Sequence, residues 1–248
     1  MSQRRLRIIG PGRAGGALAL AASRVGWTVR EPLRRGEPLV GALDDVDLVV
    51  IATPDGAVAE VAAALPRSGE VVVAHLAGSL GLDVLASHQR IGSLHPIVSL
   101  PSPEVGADRL LDGAWFAAAG DELLRRLGED LGGRIITVGD DQRAIHHAAA
   151  CVAANHLVAL MSQVERLAAT IGAPVEAYLD IARGALDGVG DLGAATALTG
   201  PVSRFDTTTI RRHLDALADD EIGLYLALAD EAARLSGRPT PVGGPAWR

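Results

Sequence analysis

Three glycines, Gly10, Gly12 and Gly15, stand at G-x-G-x-x-G spacing between a β-rich run at residues 6–9 and an alanine-rich segment at residues 17–22. This order of strand, glycine turn and helix constrains the fold more than any other feature of the chain. Gly10 permits the tight turn, Gly12 lets the backbone approach a pyrophosphate, and Gly15 allows the helix to pack closely. The helix N-terminus, from Arg13 and Ala14 onward, offers free N–H groups to an anion. A dinucleotide site formed by Gly10, Gly12, Arg13, Ala14 and Gly15 is therefore expected.

The pattern that follows supports such a fold. Short apolar runs at 28–30, 48–52, 71–75, 91–95, 115–119 and 135–138 read as strands, and 57–65 and 122–131 read as helices. This alternation predicts an α/β, doubly wound, mostly parallel sheet over residues 1–139. From residue 140 the β-branched runs give way to alanine- and leucine-rich stretches, so residues 140–248 are expected to be all helical: one helix capped by Asp140 or Asp141 and running to about 171, then helices at 174–186, 207–218 and 221–235, with a Gly/Pro tail from Gly237.

Composition narrows the chemistry. All 23 basic residues are arginines, so no lysine Schiff base, Walker-type lysine or lysine proton donor is available. A single cysteine, Cys151, excludes a disulfide framework and a zinc site built on several thiolates; no metal is expected, and a cytoplasmic location is. The net charge of −7 gives no global attraction to nucleic acid, leaving any anionic ligand to local arginines. No stretch reads as long and apolar enough to span a bilayer, and the glycines explain the N-terminal run better than an export signal does.

Those arginines cluster after the second strand, at Arg34 and Arg35, where a 2′-phosphate is recognised; NADPH is therefore favoured, with Glu31 leaving NAD open. Thr53 and Pro54 follow the third strand at the cofactor crevice, beside a turn that Thr53 or Asp55 can cap. His75 and His95 end buried strands at the same edge, as site residues or as partners of local carbonyls. His147, Cys151 and Asn155 recur every four residues, within about an 80° arc of one helix face, placing a proton donor and a carbonyl-orienting amide together. His88 reads as a surface residue, and His146 and His156 as structural. Arg204, Thr207 and Thr209 enter a helix N-terminus with groups suited to a small carboxylate, or simply form a cap with Arg204 paired to Asp206.

With these residues in view, the chain resembles a family of two-domain Rossmann-like proteins with a C-terminal domain of unknown function, related to ketopantoate reductase and pyrroline-5-carboxylate reductase. The resemblance rests on Gly10-x-Gly12-x-x-Gly15, His75 with Gly78, His95-Pro96, residues 147–155, and Thr199-Gly200-Pro201 with Arg204, Asp206 and His213. It departs at His146, where the pattern expects an aromatic residue, and at Phe205, where it expects glycine. The resemblance implies a 6-phosphogluconate-dehydrogenase-like helical C-terminal domain and reduction of ketopantoate to pantoate with NADPH. His147 would then be the acid, Asn155 would hold the carbonyl, His75 or His95 would stand in reserve, and Arg204 with Thr207 or Thr209 would bind the carboxylate of the small anionic keto acid. The alternatives are a pyrroline-5-carboxylate-type imine reductase and a non-catalytic NADP-binding regulator. A homodimer is expected.

Overall fold

The computed structural model describes residues 4–237; the tail residues 238–248 lie outside the described residues. The strands are β1 (Arg5–Ile9), β2 (Thr28–Val29), β3 (Leu48–Ile51), β4 (Val72–His75), β5 (Ile91–Ile97), β6 (Trp115–Gly120) and β7 (Arg134–Thr137). They form one sheet in the order β2-β1-β3-β4-β5-β6-β7. All neighbours are parallel except β5 and β6. The expected doubly wound, mostly parallel sheet is present.

Side-chain alternation sorts the central strands into two apolar layers. Leu48, Val50, Val72 and Ala74 face one layer with Leu18 and Ala21 of α1 (Arg13–Arg24) and Ala107 and Leu110 of α3 (Pro103–Leu111). Val49, Ile51 and Val73 face the other with Val58 and Ala62 of α2 (Asp55–Ala64) and Leu85 of a 3-10 turn. Helix α4 (Glu122–Asp130) adds Leu124 and Leu127 to the first layer. The sequence reading passes over α3, whose start is signalled by the Ser102 cap, accepting from the Val105 N–H, and by Pro103.

After β7 a 3-10 turn at Asp140–Gln142 leads into α5 (Arg143–Cys151), a π turn (Val152–His156) and α6 (Leu157–Thr170). Asp140 does not cap this helix; its carboxylate accepts from the Leu82 N–H at 3.0 Å. The chain's internal contacts divide it between His156 and Leu157, so α5 stays with the sheet. The second unit holds α6, α7 (Glu176–Leu192), α8 (Ala194–Ala197), α9 (Thr207–Ala216) and α10 (Asp219–Leu235).

One expectation is corrected. The helical run Asp140–Thr170 is long and apolar enough, by length and composition, to cross a bilayer, with a window of mean hydropathy 1.4. It escapes a search for an unbroken apolar stretch because His146, His147, Asn155 and Gln163 are spread along it.

Candidate active site at the carboxyl edge of the sheet

The topology reverses between β1 and β3, where parallel sheets open a crevice at their carboxyl edge. Gly10 turns there with φ +90°; a Cβ on it would lie 3.0 Å from the Ala52 carbonyl, so the ends of β1 and β3 touch. A Cβ on Gly15 would lie 2.4 Å from the Gly10 oxygen and 2.8 Å from the Ala52 Cβ, which shows the close helix approach that this glycine allows. A Cβ on Gly12 would meet no described atom within 4 Å beyond its chain neighbours and its own helix backbone. Helix α1 has no side-chain cap and no acidic residue in its first turn, so its leading N–H groups remain available to an anion.

The chain beyond β2 stays beside β1. Leu33 donates to the Ile8 oxygen at 2.9 Å, and Gly10 donates to the Leu33 oxygen at 2.8 Å. Arg34 and Arg35 therefore emerge exposed beside the glycine turn. Arg30 is engaged with Asp45, and Glu31 precedes the Ile9–Leu33 bridge. Thr53 follows β3 with its Oγ1 buried and unpartnered among the described residues. Pro54, not Thr53 or Asp55, occupies the α2 cap position, and Asp55 accepts from the Ser79 hydroxyl at 2.8 Å.

The histidines gather one strand further along. The register pairs His75 of β4 with Ser93 of β5, and His95 lies two residues beyond on the same face. His75 is fully buried; its Nε2 donates to the Gly81 carbonyl at 3.2 Å, and burial pushes its pKa down. It ties the loop after β4 in place, which separates it from the reserve-acid role. His95 and His147 instead converge on Gly78: a Cβ there would lie 2.8 Å from His95 Nε2 and 2.7 Å from His147 Nδ1. Glycine is required at this position because either imidazole would have to retreat from a larger residue. His147 Nδ1 is buried without a partner among the described residues, and its Nε2 lies 3.5 Å from Cys151 Sγ.

Burial, then the neighbouring His146, His147 and Arg143, push the His95 pKa down to about 4. His146 does not point away as expected; its Nε2 meets His95 Nδ1 at 2.9 Å. His88 is likewise no surface residue: it is buried and its Nε2 donates to the Ala62 carbonyl at 2.8 Å.

Arg143 is the residue that the sequence reading misses. It is 2% exposed, donates from Nη2 to Ser93 Oγ at 2.5 Å, and has Nε 3.5 Å from Asp140 Oδ1. Its Nη1 has no partner among the described residues. Extending the four-residue series His147, Cys151, Asn155 one turn backwards reaches it. The π turn affects the other end of that series. At about 4.4 residues per turn rather than 3.6, it brings the exposed Asn155 back to within about 20° of the His147 direction.

In the second unit, Asp206 caps α9 by accepting from the Thr209 N–H at 3.0 Å and the Thr209 hydroxyl at 2.7 Å. The Thr209 bonds, then the charges of Arg204 and Arg212, lower the Asp206 pKa. Arg204 is exposed, and Thr207 opens the helix. Phe205 carries φ +58°, a left-handed conformation that favours glycine. His213 Nδ1 lies 2.8 Å from the Tyr225 hydroxyl.

Residues 115–232 match the family described as a domain of unknown function, DUF2520. No curated protein matches the chain. Among solved structures the chain is similar to a candidate NADP oxidoreductase of Bacteroides fragilis (22% identity, 95% of this chain and 97% of that one, TM-score 0.74). It is also similar to an Aspergillus terreus reductive aminase in complex with NADPH4, cyclohexanone and allyl amine (20%, 97% and 90%, 0.62). A Plasmodium falciparum pyrroline carboxylate reductase with NADP bound is a third (12%, 95% and 99%, 0.61). These likenesses establish the Rossmann-like fold with its helical C-terminal part.

Proposed function

We propose that this protein is an NADPH-dependent oxidoreductase acting on the carbonyl group of a small 2-keto acid, with ketopantoate the foremost candidate. The observation that carries the reading is the convergence of His95 Nε2 and His147 Nδ1 on Gly78, at the same sheet edge as the glycine turn. At about 4.8 Å between neighbouring strands, the edge from β2 to β5 spans about 19 Å, and it presents Arg34, the glycine turn, Thr53 and the imidazoles in that order. That span suits an extended dinucleotide, which Arg34, the glycine turn and Thr53 would hold.

The chain fits that cofactor. The N–H groups of Arg13, Ala14 and Gly15 and the open space at Gly12 suit the pyrophosphate, Arg34 and Arg35 suit the 2′-phosphate, and Thr53 and Pro54 line the crevice. NADPH bound there supplies hydride. His147 holds the proton at Nδ1 and passes it to the nascent alkoxide oxygen, since no lysine exists to do so. Asn155 orients the carbonyl; on the second unit Arg204 and Thr207 are groups suited to a small carboxylate, and Thr209, bonded to Asp206, supports their loop. Two of the similar solved structures, a reductive aminase and a pyrroline carboxylate reductase, favour an imine as the second reading. NADPH consumption with ketopantoate, other 2-keto acids and cyclic imines decides between them. Turnover of ketopantoate by the wild type with full kcat/KM in His147→Ala contradicts the acid assignment, and turnover of imines alone contradicts the keto-acid reading.

The same reading includes a homodimer. Ile145, Val152 and Val158 along Asp140–Thr170, and Ile181, Leu186 and Leu192 on α7, are exposed apolar side chains that a second copy would cover. A dimeric mass in light scattering is expected, and a monomeric mass refutes it.

A further inference from the structure

His95 faces the Gly78 turn with Nε2 and meets His146 with Nδ1. Two neutral imidazoles share such a bond in two ways, which present opposite chemistry to the turn. Either His146 Nε2–H donates and His95 carries its proton on Nε2, or His95 Nδ1–H donates and Nε2 is a bare lone pair. The two rings differ in their surroundings. His95 has Arg143, His146 and His147 of α5 against it, with Asp55 at the start of α2 the acidic group acting on it. His146 is half-buried and is faced by Arg143 and His147. Burial lowers both rings, His95 to about 4 and the less enclosed His146 in the same direction, so a proton taken up by the pair goes to His146. Doubly protonated His146 can only donate, so one tautomer of His95 serves both charge states of its partner.

The geometry points to His146 as the positioning residue that locks His95 in its Nε2–H tautomer, making His95 a neutral hydrogen-bond donor that selects a carbonyl oxygen over a protonated imine. A carbonyl oxygen accepts that bond, whereas a protonated imine nitrogen brings a hydrogen of its own and sets donor against donor. No proton leaves His95 in this role; transfer to the alkoxide stays with His147 Nδ1. The inference rests on the carbonyl reading proposed above.

The test is long-range 15N–1H NMR on the full-length, 15N-histidine-labelled protein at neutral pH, with and without NADPH, the His95 signals being assigned by their loss in His95→Gln. The expected result is Nε2–H on His95 in the wild type and both tautomers in His146→Phe. His146→Phe should also lower kcat/KM for the keto acid about 100-fold, mainly through kcat, with the NADPH Kd within twofold of wild type. Nδ1–H on His95 in the wild type overturns the lock, whether or not His146→Phe folds. An unchanged tautomer and unchanged kcat/KM in that variant overturn it as well. Nε2–H on His95 together with turnover of imines alone upholds the lock but overturns the carbonyl reading, and the selectivity with it.

Discussion

The two units of the chain are held together differently. Up to His156, both faces of the sheet carry dense apolar layers in which Leu6, Leu18, Leu94 and Phe116 are fully buried. From Leu157 on, the buried apolar side chains among the described residues are Ala168, Ile210, Ala229 and Ala233, accompanied by buried Gln163, Glu221 and Asp230. Glu221 is fixed by Arg166 and by Gln163, whose Nε2 donates to its carbonyl and its carboxylate at 3.0 Å. The first unit thus encloses its own core and can hold imidazoles and a guanidinium in fixed, partly desolvated positions. The second relies on polar ties, and Ile181, Leu186 and Leu192 of α7 are exposed.

That contrast can be broken by substitution. Phe116→Ala in the first unit should cost about 3–5 kcal/mol, read by chemical denaturation, whereas Leu186→Ala, at an exposed site of α7, should cost under about 0.5 kcal/mol in a monomeric background. Equal losses would erase the difference. Acid should act on the first unit through His95. Its ordinary value of 6.5 falls to about 4 in the folded protein, so the unfolded chain binds more protons between these values. Stability should be complete above pH 6.5 and decline by about 2–3 kcal/mol as pH falls toward 4, with His75 and His146 shifted in the same direction. His95→Gln should flatten that slope. In the second unit, Glu221→Ala leaves buried Gln163 with a lost partner and should cost about 1–3 kcal/mol, appearing as faster hydrogen exchange in α6 and α10 while the sheet stays protected. Smallest, Phe205→Gly relieves a left-handed backbone and should stabilise by up to about 1 kcal/mol, a Tm rise of a few degrees.

Local pattern made much of the first unit legible. Strand β3 and the Val72–Ala74 part of β4 are unbroken apolar runs buried on both faces, and the glycine fingerprint has physical causes that the geometry displays at Gly10 and Gly15. Helix α3 escapes because its signal lies in the Ser102 cap and Pro103, not in apolar periodicity. Arg143 and His146 escape for another reason: a buried guanidinium and a histidine pair are defined by what β5 places opposite them, and no spacing along α5 reveals Ser93 or His95. The π turn is equally hidden, because Val152–His156 reads as ordinary helix. In the second unit the sequence marks the helices well, but which groups the Arg204 loop ties up becomes visible only when Asp206 is seen to hold Thr209.

The central claim is that chemistry occurs where His95 and His147 converge on Gly78. Gly78→Ala tests it directly, because the added Cβ would stand 2.7 Å from His147 Nδ1 and 2.8 Å from His95 Nε2 while leaving the glycine turn untouched. The account predicts that kcat/KM for the keto acid falls about 100-fold with the Kd for NADPH within twofold of wild type. Full kcat/KM in Gly78→Ala would contradict it.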